Sequence, residues 1–262
     1  MITAGVDVGS LTAKAMVWDT DQGRALGQAL LGGTADPGVA GRRVFAQALA
    51  AAGVTEGEVC CSVGTGYGRV ALGFVSRRLT EITCHSRGVH HLLPQVRTVI
   101  DIGGQDSKVI RSDEAGRALD FEMNDRCAAG TGRFLEVMAS ALGTDLSGFG
   151  ELACRAASPA RISSTCTVFA ESEVIGLLAQ GVDRAVIAAG LCQAVAQRIA
   201  AMVWRLGLEA PVALTGGVAL NEPVRQALQD VLGTGLLVPK SPQMTGALGA
   251  ALLAAEGVET SL

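Results

Sequence analysis

The sequence predicts an α/β fold built from two related halves. The first observation is an internal repeat: GVDVGSLTAK at Gly5–Lys14 returns as VIDIGGQDSKVI at Val99–Ile110, so that Asp7 aligns with Asp101. The second is that a third apolar run and then helical spacing follow each copy, which indicates a duplicated β-β-β-α unit. The third is the glycine content, 34 of 262 residues, against a usual share of roughly 7%. Such an excess is typical of tight turns and of close backbone approaches to a ligand.

Each copy of the repeat is predicted to form a β-hairpin. An apolar run ends in Asp-x-Gly, a short polar turn follows, and a second apolar run comes next. A chance similarity between two glycine turns is the alternative. Third strands are expected at Arg24–Leu31 and Arg117–Met123. The remaining predicted elements are helices at Ala40–Ala52, Ala128–Leu142, Val168–Gln180, Arg184–Leu206, Pro223–Leu232 and Met244–Ala255, and strands at Val59–Val63, Pro211–Thr215 and Leu236–Val238.

The composition indicates a folded protein of the cytoplasm. Hydrophobic residues make up 49% and charged residues 18% of the chain, which excludes a disordered protein. The net charge of −4 argues against nucleic acid or an anionic membrane as a partner. No apolar run approaches the roughly 20 residues that span a bilayer, and the first residues lack the basic segment of a signal peptide. In a reducing compartment the seven cysteines are expected to be buried thiols or metal ligands rather than disulfides.

The glycine turns predict a nucleotide site of an unusual kind, because neither a Walker A sequence nor GxGxxG is present. In each Asp-x-Gly turn, backbone N–H groups are expected to bind phosphate oxygens. Asp7 and Asp101 are expected to hold Mg²⁺ or its waters, and Gln105 to orient an attacking water. The segment LTGGVALN at Leu214–Asn221 follows a strand and opens a helix, which suits the sugar and base. The residues predicted to bind the nucleotide are Gly9, Ser10, Leu11, Thr12, Lys14, Gly103, Gly104, Gly216, Gly217 and Asn221.

The order of these motifs resembles the actin, sugar-kinase and Hsp70 nucleotide-binding fold, a ribonuclease H-like architecture in which two related domains close around ATP. The resemblance implies a first domain of residues 1–95 with 244–262, in which Met244–Ala255 returns as a hinge helix. It implies a second domain of residues 96–243, with the second phosphate turn, the adenosine motif and both cysteine motifs. A plain packing helix is the alternative for Met244–Ala255.

Two cysteines, Cys127 and Cys166, each precede a predicted helix. A thiolate at such a place is stabilised by the positive helix end and its unpaired N–H groups. Two cysteines are too few for a Cys₄ iron–sulfur cluster, but a two-fold symmetric dimer supplies four. A lone cysteine is more often a small buried hydrophobic residue, so the spacing alone leaves both interpretations open.

The surrounding motifs make the resemblance specific. The stretches MNDRCAAGTGRFLE and ISSTCTVFAESEVI, with EITCHSRG, TGYGR and VIDIGGQDSKVI, resemble the ATPase activators of 2-hydroxyacyl-CoA dehydratases and the related ATPase subunits of benzoyl-CoA reductase. The resemblance runs from Gly5 to Leu252. It implies that Cys127 and Cys166 of two identical subunits bind one [4Fe–4S] cluster, and that ATP hydrolysis drives one electron from a ferredoxin or flavodoxin onto a partner enzyme. Leu11 stands where many relatives carry a small hydroxyl residue, although its backbone N–H remains.

Several alternatives stay open at this point. The acceptor could be a 2-hydroxyacyl-CoA dehydratase, a benzoyl-CoA reductase core or another cluster-containing enzyme. A small-molecule kinase of the same fold could use Asp101 as a general base, but it does not explain the two cysteines. A non-catalytic, ATP-gated scaffold of the Hsp70 or actin kind is a third possibility. His85 is expected to pack at a hinge. The cysteines expected to be structural are Cys60, Cys61, Cys84, Cys154 and Cys192.

Overall fold

The computed structural model describes residues 1–33, 36–163 and 166–259. Within these ranges the strands are β1 (Ile2–Val8), β2 (Thr12–Asp19), β3 (Arg24–Gly32), β4 (Cys61–Thr65), β5 (Arg77–Arg78), β6 (Thr98–Ile102), β7 (Ser107–Ser112), β8 (Ala118–Asn124), β9 (Val212–Thr215) and β10 (Leu236–Leu237). The helices are α1 (Pro37–Ala52), α2 (Glu81–Leu92), α3 (Gly132–Ala141), α4 (Leu146–Cys154), α5 (Thr167–Ala179), α6 (Arg184–Leu206), α7 (Glu222–Leu232) and α8 (Thr245–Glu259).

The strand order confirms the predicted duplication. One sheet has the order β3-β2-β1-β4-β5, and the other, taken from its β8 edge, has the order β8-β7-β6-β9-β10. If the strands are numbered one to five within each half, both sheets have the order 3-2-1-4-5. Both hairpins therefore lie next to the strand that follows them along the chain, with the first strand of each hairpin at the centre of its sheet.

The described chain divides into two compact units. Unit 1 consists of Met1–Val99, Ile110–Asp120 and the chain from Pro239 onward, and unit 2 of Ile100–Val109 and Phe121–Val238. The functional domains predicted from the sequence, 1–95 with 244–262 and 96–243, stay a prediction, and residues 260–262 of the first lie outside the described part of the chain.

In unit 1 the C-terminal helix α8 packs directly on the central strand. A Cβ added to Gly5 of β1 would lie 2.0 Å from the carbonyl oxygen of Ala247, so only glycine permits this approach. The Thr3 hydroxyl donates to the carbonyl of Ala251 at 2.9 Å, and both groups are buried. These contacts place the first turn of α8 beside the end of β1, where Asp7 lies.

In unit 2 the long helix α6 forms the centre of the core. Leu191, Val195 and Ile199 are among its fully buried side chains. By length and composition alone α6 could cross a membrane. No segment of this kind was expected from the sequence. However, 61% of its most apolar window is buried inside the protein, as is typical of a core helix.

Several predicted boundaries are wrong. The helix predicted at Ala128–Leu142 begins only at Gly132, because Gly130 takes a φ of 83° and Thr131 is extended. The strand predicted at Val59–Val63 runs two residues later, after a 3₁₀ turn at Glu56–Glu58. The helices α2 and α4 were not predicted as elements. In α4 two glycines obscure the helical pattern, but Asp145 caps its first turn and Phe149 is fully buried.

Candidate functional site

A buried carboxylate directly precedes the turn of the first hairpin. Asp7 pairs with Lys14 in the β1–β2 register, and the N–H of Gly9 donates to the carbonyl of Thr12 at 3.0 Å to close the turn. Asp7 is 4% exposed, and its Oδ2 lies 3.6 Å from Nζ of Lys14. Gly9 and Thr12 therefore close the turn next to the Asp7–Lys14 pair, and a Cβ on Gly9 would lie 3.6 Å from Nζ of Lys14. Because one cation balances the carboxylate, Asp7 keeps oxygen lone pairs for a further ligand.

Two glycines that were not predicted as site residues let the backbone approach Asp7. Gly66 follows β4 with a φ of 86°, and a Cβ there would lie 2.5 Å from Oδ1 of Asp7. Gly246 is in the first turn of α8, and a Cβ there would lie 2.9 Å from Oδ2. The motif TGYGR contained the first signal, since Thr-Gly follows a strand there as it does in LTGGVALN. No local signal pointed to Gly246.

The turn of the second hairpin has the same chemistry in unit 2. Asp101 is 3% exposed and accepts a hydrogen bond from the Thr215 hydroxyl at 2.9 Å. Nζ of Lys108 lies 3.3 Å from Oδ2 of Asp101 and 2.8 Å from Oδ2 of Asp106. The aligned pairs Asp7–Lys14 and Asp101–Lys108 thus both exist as ion pairs. Neither Thr215, which binds Asp101, nor Asp106, which binds Lys108, was predicted as a site residue.

The N-terminus of α3 fixes the conformation of this second turn. The N–H of Gly132 donates to the carbonyl of Gly103 at 2.9 Å, and the N–H of Arg133 donates to the carbonyl of Gly104 at 2.7 Å. The turn is closed by the N–H of Gly103, which donates to the carbonyl of Asp106 at 2.9 Å. Gln105 is exposed at the tip. Its side chain is therefore accessible to a ligand, as its predicted role requires.

The glycine pair after β9 is the unit 2 counterpart of Gly66. Gly216 has φ 85° and ψ 179°, against 86° and 179° for Gly66, and each precedes a 3₁₀ turn. Gly217 begins that turn in unit 2. Asn221 closes it, and its Oδ1 accepts from the N–H of Val224 at 3.1 Å as the cap of α7. Asn221 thus has a structural task, and its contact with a nucleotide stays a prediction.

Replacing Gly216 with alanine is expected to destabilise unit 2 more than the same change at Gly233. Both glycines have a positive φ, 85° and 66°, which costs a residue with a Cβ about 1–2 kcal/mol. A Cβ at Gly216 would also lie 2.3 Å from the carbonyl oxygen of Ile102, whereas nothing lies within 4 Å at Gly233. Urea denaturation of both variants measures the difference. Equal losses of stability would show that the backbone at Ile102 moves without cost.

The two candidate cluster cysteines lie in different local settings. Cys166 is exposed and is the N-cap residue of α5, as predicted. Cys127 is half-buried and lies five residues before α3 begins. The expectation that Cys127 adjoins a helix end is wrong, because Asn124 Nδ2 donates to the carbonyls of Cys127 and Ala129 and holds an irregular loop. Residues 164 and 165 of the motif around Cys166 lie outside the described residues.

The other cysteines divide by burial. Burial raises the pKa of the Cys84 thiol to about 12, and burial also raises that of Cys192 to about 12. Both therefore stay protonated near neutral pH, and a protonated thiol is a poor metal ligand. Cys61 is buried in β4, whereas Cys60 and Cys154 are exposed.

Comparison with known proteins gives close relatives along the whole chain. The activator of lactoyl-CoA dehydratase from Anaerotignum propionicum is 46% identical over 259 residues, which is 99% of each chain. One of the subunits of the benzoyl-CoA reductase from Thauera aromatica is 32% identical over 261 residues, 96% of this chain and 92% of that protein.

Solved structures agree with the fold. The activator of the 2-hydroxyisocaproyl-CoA dehydratase from Clostridium difficile with bound ADPNP superposes with a TM-score of 0.93 at 40% identity, covering 100% of this chain and 97% of the other. Component A of the Acidaminococcus fermentans (R)-2-hydroxyglutaryl-CoA dehydratase superposes with a TM-score of 0.94 at 41% identity, covering 99% of both chains. A ROK hexokinase from Thermus thermophilus shares the fold, with a TM-score of 0.55 at 17% identity over 98% of this chain and 100% of the other.

These similarities confirm the predicted actin-like and sugar-kinase-like fold, and they agree with the two carboxylate-bearing hairpin turns. The model of the BadF/BadG/BcrA/BcrD ATPase family matches residues 4–254. The chain belongs to this family of ATP-binding ATPases.

Proposed function

We propose that this protein is an ATP-hydrolysing one-electron donor that activates a 2-hydroxyacyl-CoA dehydratase. The observation that carries the proposal is an exposed cysteine, Cys166, at a helix N-terminus in a chain that aligns end to end with dehydratase activators. Neither phosphate transfer by a kinase nor ATP-gated binding by a scaffold of the same fold requires such a thiol. ROK kinases resemble this chain in fold alone.

The two hairpin turns are the proposed ATP site. Asp7 and Asp101 hold Mg²⁺ or its waters, because buried carboxylates with one cationic partner keep lone pairs for a hard metal ion. Gln105 orients the attacking water. The nucleotide is bound by the turn residues Gly9, Ser10, Leu11, Thr12, Lys14, Gly103 and Gly104, and by Gly216, Gly217 and Asn221.

Cys127 and Cys166 of unit 2 are the proposed ligands of a cluster shared between two copies of the chain. Among the described residues no group of three or more His, Cys, Asp or Glu side chains could hold a metal ion. Cys127 and Cys166 therefore supply two thiolates, and a second copy supplies the other two. When bound, a [4Fe–4S] cluster supplies a carrier of single electrons. The N–H groups at the start of α5 stabilise the Cys166 thiolate, because the first N–H groups of a helix lack intrahelical partners.

Exposed apolar side chains on α5, the helix that Cys166 caps, support burial of this helix against a second copy. Val168, Phe169 and Ile175 of α5 are all exposed. Covering such side chains is favourable by roughly 25 cal/mol per Å², and it shields a cluster from water. We therefore propose a homodimer that is joined at the α5 N-terminus.

The α3 N-terminus is the proposed link between ATP and the cluster. It holds the carbonyls of Gly103 and Gly104, whose peptide units form the second phosphate turn. The loop that carries Cys127 leads directly into this end of α3. A phosphate-dependent shift of the turn therefore moves the Cys127 loop, which is a two-state element of the kind that phosphate switches use.

The remaining parts of the proposal concern the surroundings of the protein. The donor is a ferredoxin or flavodoxin, and the protein works in the cytoplasm. The ATPase subunit of a benzoyl-CoA reductase is the second candidate, supported by the similarity to the Thauera aromatica protein. Activation of another cluster-containing enzyme is a further alternative.

Anaerobic purification is expected to give a brown dimer with about four iron and four sulfide ions per two chains, as one Cys₄-bound [4Fe–4S] cluster requires. Exposure to oxygen should remove the colour and the iron, and the dimer should dissociate at low concentration. Iron and sulfide analysis with native mass measurement tests both. An iron-free protein after cluster reconstitution, or a monomer that carries the full complement of iron, contradicts the proposal.

A further inference from the structure

A histidine that the proposed ATP site does not use lies beside Asp7 in unit 1. His85 is on α2 and is 6% exposed. A Cβ on Gly246 would lie 2.9 Å from Oδ2 of Asp7 and 3.1 Å from Nε2 of His85. Both atoms therefore lie within 3.1 Å of one point in the first turn of α8, so the imidazole and the carboxylate are neighbours in a buried space.

Thr245, the first residue of α8, is a hydrogen-bond partner of His85 at Nδ1. Nδ1 of His85 lies 3.0 Å from the Thr245 hydroxyl oxygen, and that oxygen lies 3.3 Å from the carbonyl of Pro242. A hydroxyl has one hydrogen, and a carbonyl can only accept. The Thr245 hydrogen therefore goes either to the carbonyl of Pro242 or, over the shorter distance of 3.0 Å, to Nδ1 of His85. Because a carboxylate also only accepts, His85 can donate to Asp7 in the second arrangement, in which Nδ1 accepts from Thr245 and the ring proton is on Nε2.

Close packing of α2 on α8 prevents this imidazole from moving away. A Cβ on Gly249 would lie 1.7 Å from the carbonyl oxygen of Cys84, and a Cβ on Gly88 would lie 2.1 Å from that of Thr245. The backbones of the two helices are therefore in contact at Cys84 and at Gly88, which flank His85 in the sequence. A buried, doubly constrained imidazole is costly unless its polar atoms have partners.

We propose that His85 is a positioning residue for ATP hydrolysis, which, held at Nδ1 by Thr245, orients the Asp7 carboxylate from its Nε2 side. This rests on the proposed role of Asp7 in holding Mg²⁺ or its waters. Groups that orient a metal-binding carboxylate typically account for 10- to 100-fold in metal affinity or activity. Asp7 also forms an ion pair with Lys14, whose Nζ lies 3.6 Å from Oδ2 of Asp7.

Two amide substitutions test the roles of the two ring nitrogens of His85 separately. His85→Asn keeps a polar amide atom at the Nδ1 position but has no atom at Nε2, whereas His85→Gln places an amide N–H at the Nε2 position. We expect His85→Asn to raise the Mg²⁺ concentration needed for half-maximal ATPase activity, and to weaken Mg²⁺-dependent binding of ADPNP, by about 10- to 100-fold. His85→Gln should stay within about threefold of the parent. His91→Asn, the same change at an exposed position of α2, should have no effect on either quantity.

Variants of Thr245 and Asp7 complete the test. Thr245→Val releases the ring and should behave like His85→Asn, whereas Thr245→Ser keeps the oxygen and should behave like the parent. In an Asp7→Asn background, His85→Asn should weaken ADPNP binding no further, because coupled residues are not additive. Parent-like magnesium dependence of both His85→Asn and Thr245→Val overturns the inference. Parent-like ATPase activity of Asp7→Asn instead overturns the proposed role of Asp7.

Discussion

Asp101→Asn is expected to lower the kcat of ATP hydrolysis by at least ~100-fold, the lower end of what a positioned acid–base or water-orienting group supplies. The substitution removes the negative charge while it keeps the size of the side chain and the hydrogen bond from Thr215. Lys108 keeps its other partner, Asp106, at 2.8 Å, so no lysine is left buried and unpaired. The loss should therefore lie in catalysis rather than in folding. Steady-state phosphate release measures it, with thermal unfolding as the check on stability.

Asp113→Asn is the matched control for this change. Asp113 lies at the other end of β7, where its Oδ1 accepts from the N–H groups of Ala115 and Arg117. These N–H groups hold the pKa of Asp113 below its usual value. Its amide variant should lose some turn stability and keep the parent kcat. Because the hairpins are duplicated, Asp7→Asn should behave like Asp101→Asn, and Gln105→Ala should also lose hydrolysis. Hydrolysis by Asp101→Asn at the parent rate would show that this carboxylate positions neither metal nor water.

Cys166→Ser is expected to abolish the cluster and electron transfer while ATP binding remains. In a symmetric dimer each single substitution removes two of the four ligands, and a serine hydroxyl is a poor substitute for thiolate at neutral pH. Iron and sulfide should fall below about a tenth of the Cys₄ complement. ATP affinity should stay near that of the parent, because Cys166 is in none of the glycine turns. Anaerobic iron analysis beside calorimetric ADPNP binding measures both, and Cys127→Ser should give the same result.

Cys154→Ser and Cys60→Ser are the matched controls, since both thiols are exposed like that of Cys166. Cys84→Ser and Cys192→Ser test the buried thiols, whose raised pKa values of about 12 disfavour iron binding. All four variants should retain iron. A full complement of iron in Cys166→Ser would remove this residue from the ligand set and return a small-molecule kinase to consideration.

The hairpins could be predicted from the sequence because each copy of the repeat contains all the residues that form its hairpin. An apolar run that ends in Asp-x-Gly specifies a buried strand, a carboxylate and a turn, all within local sequence. The structure confirms both hairpins, and it adds an ion pair in each that was not predicted, Asp7 with Lys14 and Asp101 with Lys108. The helix α6 was predicted with its observed bounds because its apolar pattern is long.

Long-range contacts account for what the sequence did not predict. The start of α3 depends on carbonyls of Gly103 and Gly104, which lie almost thirty residues earlier in the chain. Similarly, the approach of Gly246 to Asp7 depends on how α8 packs on β1. The loop around Cys127 is different, because its cause is local: Ala128 and Ala129 favour helix, but the Asn124 side chain donates to carbonyls three and five residues later and holds a loop.

Electron transfer to a 2-hydroxyacyl-CoA dehydratase is the most direct measurement. The anaerobic protein, reduced beforehand, is mixed with a purified dehydratase and its 2-hydroxyacyl-CoA substrate, and formation of the unsaturated acyl-CoA is followed with ATP, with ADPNP or without nucleotide. We predict product only with ATP and only with the reduced protein, and none with the Cys166→Ser variant. Equal product formation with and without ATP, or ATP-dependent activation by Cys166→Ser, would contradict the proposal that ATP hydrolysis drives an electron from a cluster held by this chain.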